Sequence, residues 1–149
     1  MSEETEQLQE FYPTSRITSY RIMVPVVPDG ACGQNHRGHW REKAKAVRTL
    51  RLAAKMAAIE HRPLVALTGD VEVRAVICWP RGRKRMDPSN AAAALKGAVD
   101  GLTDAGMWLD DNRVQVRVDE QRTWGEWGAE AGHHYPGGVV TFDIREVAR

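Results

Sequence analysis

An α+β fold is what this sequence predicts: two helices packed on a mixed four-stranded sheet, in the order β-α-β-α-β-β. Three observations point there. One long alanine-rich segment repeats its apolar residues at helical period, several shorter segments alternate apolar with polar residues, and Pro, Gly and Asp separate them. With 149 residues, 42% of them hydrophobic, the chain can build one compact core and is too short for two ordinary domains.

Residues 1–15 are acidic and polar and read as a disordered tail, leaving 16–149 as a single domain. Residues 17–26, ITSYRIMVPV, form a first strand, ended by the turn formers Pro28, Asp29 and Gly30. After a loop of small and polar residues, a helix runs from about Trp40 to His61. Val47, Leu50, Ala54 and Ala57 make its apolar stripe, while Arg41, Lys45, Arg48 and Lys55 share a cationic face. Pro63 stops it. Residues 70–79 alternate Val71, Val73, Ala75 and Ile77 with Glu72, Arg74 and Val76, as a strand does. Asp87 suits an N-cap, with Pro88 at the first helical position, of a second helix reaching Ala105 and closed by Gly106. Segments 113–124 and 138–147 complete the sheet, joined by a Gly/His-rich loop.

Net charge is only +1, but it is unevenly distributed. Residues 36–62 hold eight Lys or Arg against Glu42 and Glu60, and Arg81, Arg83, Lys84 and Arg85 follow; from Asp87 onward acids outnumber bases eleven to six. Cys32 and Cys78 form no CxxC pair, which argues against a disulfide scaffold and for a reducing, cytoplasmic setting. No apolar run is long enough to span a membrane, and the first residues lack the basic-then-apolar pattern of a signal peptide. Cys32, His36 and His39 lack a fourth ligand and a standard zinc spacing.

The chemistry concentrates in RKRMDPSN at 83–90 and WLDD at 108–111. Carboxylates beside cations suit metal-dependent phosphodiester cleavage: Mg²⁺ takes one or two carboxylates with waters and phosphate oxygens, while Arg and Lys hold the polyanion. Singly, Asp87 is equally a plain helix cap and Asp110–Asp111 a plain solvated turn. Together with the basic block they predict a site, with Arg83, Lys84, Arg85, Arg41, Lys45 and Arg48 on phosphates and Asn35 and Arg37 in a DNA-facing loop. A helix from Pro88 to Ala105 spans roughly 27 Å, whereas residues 106–111 return at most about 17 Å. One chain would then leave Asp87 and Asp111 apart, and a dimer would be needed to join them.

The stretch DPSN…LKGAVDGLTDAGMWLDD, with the basic block before it and VPDG…NHRGH near the first strand, resembles the RusA-type Holliday junction resolvases. The resemblance covers 17–147 in element order and is dense over 83–114. It implies a RusA-like fold and a homodimeric, Mg²⁺-dependent endonuclease (Mn²⁺ a possible substitute) of bacteria or phages. Such an enzyme cleaves four-way or other branched DNA in recombination, repair or phage DNA processing. Carried across, Asp87 and Asp111 are catalytic metal ligands, Asp110 supports them, and Asn90, Lys96 and Asp100 fall on the family's Asn, Lys and Asp. Two departures stand out: Ser89 replaces the second acid, leaving a neutral and weaker ligand, and Lys96 lies six residues past Asn90 where the family has three. The alternative is a junction-binding protein that kept the scaffold and lost cleavage.

Overall fold

The structure, a computed structural model, describes residues 19–33, 38–131 and 134–147. Four strands form one sheet: β1 (Ser19–Val24), β2 (Asp70–Cys78), β3 (Val114–Arg122) and β4 (Val139–Val147), in the spatial order β1-β4-β2-β3. β4 runs antiparallel to both β1 and β2, whereas β2 and β3 are parallel, so the sheet is mixed as the sequence predicts. The parallel pair requires a crossover, and α2 (Pro88–Ala94) and α3 (Lys96–Asp104) supply it. The remaining helices are α1 (Trp40–His61) and α4 (Trp124–Ala131), with 3₁₀ turns at Gly30–Cys32 and Asp111–Arg113. The predicted 1–15 tail, Asn35, His36 and Arg37 lie outside the described residues.

Alternation along the strands sends one side chain in two to the helix-covered face. Val71, Val73, Ala75 and Ile77 of β2, Phe142 and Ile144 of β4, and Ile22 and Val24 of β1 meet Leu50, Ala54 and Ala58 of α1 there, all buried. The opposite face carries exposed ion pairs, Arg21–Asp143, Arg74–Glu72 and Arg117–Asp119 among them, and at one end α4, whose Trp127 packs on Cys78 and Val139. α1 and α3 approach so closely that a Cβ on Gly101 would lie 2.2 Å from the Arg51 carbonyl oxygen. Arg51 then reaches across to chelate Asp104, at 2.6 and 2.8 Å.

Two local features depart from the sequence reading. The predicted Pro88–Ala105 helix is jointed at buried Leu95, where the chain stays right-handed but α2 gives way to α3. Its end is as expected: Met107 N–H bonds to Leu102 and Gly106 N–H to Thr103, with Gly106 at φ 83°, the paired bonds of a Schellman cap. Second, the loop between the last strands contains α4. Its start is a Thr-x-x-Glu box: the Glu126 carboxylate accepts from both the Thr123 N–H and the Thr123 hydroxyl.

Candidate functional site

β3 sets the geometry. Between Ala75 and Val76 its register against β2 slips by one residue, so Asp119 is extra. Before the slip Val114, Val116 and Val118 pair with Val71, Val73 and Ala75; after it Gln121, not Glu120, stands opposite Ile77. Gln121 therefore points to the helix-covered side and clamps the basic loop. Its Oε1 accepts from the Met86 N–H and from the indole N–H of buried Trp79, and its Nε2 donates to the Met86 carbonyl.

That clamp fixes residues 81–87. Alternate arginines are held: Arg81 lies over Trp124, Arg83 lies over Trp79 at 4.9 Å from the ring centroid, and Arg85 donates to the Gln121 carbonyl and to Glu126. Arg83 also donates to the Pro28 carbonyl at 3.1 Å. Its half-buried guanidinium is thus fixed at the mouth of a cleft of about 700 Å³ between α1 and residues 26–30. Val26, Val27, Ala46 and Leu50 give this cleft an apolar floor, and Lys45, Thr49, Asp29 and Glu42 line its rim. Lys45 and Arg83 pair with no acid among the described residues, whereas Asp29 and Glu42 each have interactions of their own. The cleft lining thus sets two acids beside two bases that are in no ion pair among the described residues.

The acidic residues do not converge. Asp87 follows the Gln121 clamp, at the C-terminal end of β3, and acts as the N-cap of α2. One oxygen accepts from the Ser89 hydroxyl at 2.6 Å and from the Ser89 and Asn90 N–H groups. These bonds, the Ser89 hydroxyl first, hold its carboxyl below the ordinary Asp range. Asp110 and Asp111 sit at the other end of β3, where Asp110 caps the 3₁₀ turn by accepting from the Asn112 N–H. The seven strand steps from Val114 to Gln121 separate the two ends by roughly 23 Å. No group of three or more His, Cys, Asp or Glu able to hold a metal occurs among the described residues. Asp87, Ser89 and Asp111 therefore do not fit a Mg²⁺ ion within one chain, and no step is derived through one.

The other sequence candidates are dispersed. Lys96 and Asp100 pair with each other at 3.5 Å on an exposed helix face. Asn90 packs against Gly33, where an added Cβ would lie 2.5 Å from its Oδ1. Arg41, Arg48 and Lys84 are exposed. His39 accepts the Arg41 N–H and caps α1, while Cys32 is buried and its thiol is pushed up by that burial. Gln121, Val26 and Val27, which shape the cleft, were not among the candidates. Nothing local marks them, because a strand slip and a helix contact place them there.

No family model and no curated protein matches this chain. Among solved structures it is similar to periplasmic domains of the Helicobacter pylori protein MotB. For residues 78–256 of that protein the TM-score is 0.39, with 10% identity over 90% of this chain and 80% of that one. For residues 97–256 the values are 0.38, 11%, 90% and 87%. A MotB periplasmic domain of residues 64–256 gives 0.34, 12%, 99% and 86%. TM-scores this low carry neither fold nor role across to this chain.

The RusA-type reading is corrected. Within one chain the carboxylates that cleavage requires stand at opposite ends of β3, and the described residues hold no group able to share a metal. With it go the Mg²⁺-dependent endonuclease, the inactive junction-binding alternative, and roles in recombination and repair. Branched DNA as partner goes too, as does the homodimer, which the resemblance implied and the expected gap between the carboxylates of one chain called for. The cytoplasmic location, which rested on cysteine usage, is likewise not retained. No helix of the described residues is long and apolar enough to cross a membrane.

Proposed function

We propose that this protein is a ligand-binding domain whose cleft between α1 and residues 26–30 takes a small amphipathic anion. One observation carries the reading: Lys45 and Arg83, neither in an ion pair among the described residues, share with Asp29 and Glu42 the lining of a cavity of about 700 Å³ with an apolar floor. That volume lies within the range of small-molecule sites, which are mostly apolar with a few placed polar groups. Arg83 is already positioned, since Trp79 and the Pro28 carbonyl occupy one side of its guanidinium. Its remaining N–H groups are available to a carboxylate or phosphate without a large ordering cost. Lys45 supplies a second, mobile charge from the helix rim. Val26, Val27 and Leu50 cover the apolar part of the ligand.

Calorimetric titration with octyl phosphate and decanoate, beside octyltrimethylammonium of the same chain length as the phosphate, tests this. Both anions should bind and the cation should not. Arg83→Met should weaken anion binding about tenfold or more, the scale of one charge-assisted hydrogen bond. Equal binding of the cation, or no heat from either anion at millimolar concentration, would refute the proposal.

A further inference from the structure

α1 turns one stripe of side chains outward. At about 100° per residue, Arg41, Lys45, Arg48, Leu52, Met56 and Ile59 fall within a sector of about 80°, opposite buried Leu50, Ala54 and Ala58. No other residue of the helix falls in that sector. All six are exposed, Leu52, Met56 and Ile59 by 60%, 57% and 41%. The stripe is therefore cationic along its N-terminal half and aliphatic along its C-terminal half. Past the helix end, Leu64 and Val65 extend the aliphatic half, exposed by 106% and 63%, and Ile59 and Leu64 border one depression. Contiguous exposed apolar surface of this kind marks an interaction site.

We propose that this stripe, with the Leu64–Val65 bend, docks on an anionic lipid surface. Charge complementarity selects the occupant. Arg41, Lys45 and Arg48 enter no ion pair among the described residues. The acids of α1, Glu42 and Glu60, lie on one flank, about 80° from the middle of the stripe, and Asp104 of α3 on the other flank is paired with Arg51. The partner is thus negative. Its other property follows from the aliphatic half: a nucleic acid offers phosphates and base edges, which would leave Leu52, Met56, Ile59 and Leu64 in water, whereas a bilayer takes them at its acyl boundary. A fluid bilayer also needs no matching pocket for the protruding Leu64. Arg41 to Ile59 spans about 27 Å of helix, so a slight tilt seats the aliphatic end in the boundary while the cations stay among the headgroup phosphates.

Co-sedimentation of the full chain with vesicles of phosphatidylglycerol and phosphatidylcholine in equal parts, beside vesicles of phosphatidylcholine alone, tests this. Docking predicts binding to the anionic vesicles about tenfold or more tighter than to the neutral ones, and weakened by added salt. Arg41→Gln/Arg48→Gln should lower that binding about tenfold. Leu64→Ser/Val65→Ser should lower it at least as much, because both apolar side chains are lost from the boundary. Both variants change only exposed positions, and thermal midpoints equal to that of the unaltered chain check that they fold. No sedimentation with the anionic vesicles overturns the proposal. So does binding that Leu64→Ser/Val65→Ser leaves unchanged, since the aliphatic half then plays no part. Self-association without lipid that Leu52→Asp/Met56→Asp abolishes would overturn it as well, by assigning the stripe to a second copy.

Discussion

Gln121 is where the chemistry of a single residue decides the geometry of the cleft. Its amide satisfies the Trp79 indole, the Met86 N–H and the Met86 carbonyl at once, and Arg83 is held between the residues so fixed. Gln121→Leu would keep the volume and orphan those groups, each costing about 1–3 kcal/mol when buried. We expect a loss of about 3 kcal/mol or more in urea unfolding together with weaker octyl phosphate binding. An unchanged midpoint would show that the clamp is dispensable. Carboxylates give a second prediction at this scale. Asp87, Asp104 and Glu126 are all depressed in the folded state, chiefly by the Ser89 hydroxyl, by Arg51 and by the Thr123 N–H respectively. Folding therefore releases protons as pH falls toward these groups. Their stabilisation is complete above the ordinary carboxylate range, near pH 4, and is lost as pH drops through the lower folded values. Urea midpoints should fall between pH 5 and pH 3, and Asp104→Asn should flatten that slope.

Among the elements, helix packing is the tightest constraint. Gly101 lets α3 lie on α1, and a methyl group there would meet the Arg51 carbonyl oxygen at 2.2 Å and Ala54 Cβ at 3.0 Å. Gly101→Ala should cost about 1–3 kcal/mol, as overpacking does, despite its better helix propensity. A gain in thermal stability would contradict this packing. The same elements show what was readable in the chain. The alternation of β2, the Ala-rich α1 stripe, the Asp87–Pro88 start and the Gly106 stop all encode local geometry, and each occurs as predicted. α4 was also written locally, in Thr123 and Glu126, but a loop rich in glycine masked it. The β3 slip was not legible, because its consequence, Gln121 facing the helices, depends on pairing with β2.

At the scale of the whole molecule, helices packed on a mixed sheet were legible, while the site and the small helix α4 on the second face were not. The basic and acidic runs near 83–111 are adjacent in sequence, yet the crossover through α2 and α3 carries the chain the full length of β3 between them. Adjacency in sequence thus became separation in space. Lys45 and Arg83, far apart in the chain, became neighbours on one cleft because residues 26–30 fold against α1. A nitrogen-resolved NMR titration of the full chain with octyl phosphate tests that arrangement most directly. Saturating shifts confined to residues 26–30, 42–50 and the Arg83 side chain are predicted. Shifts absent throughout, or centred on the acidic ends of β3 at Asp87 or Asp110, would contradict it.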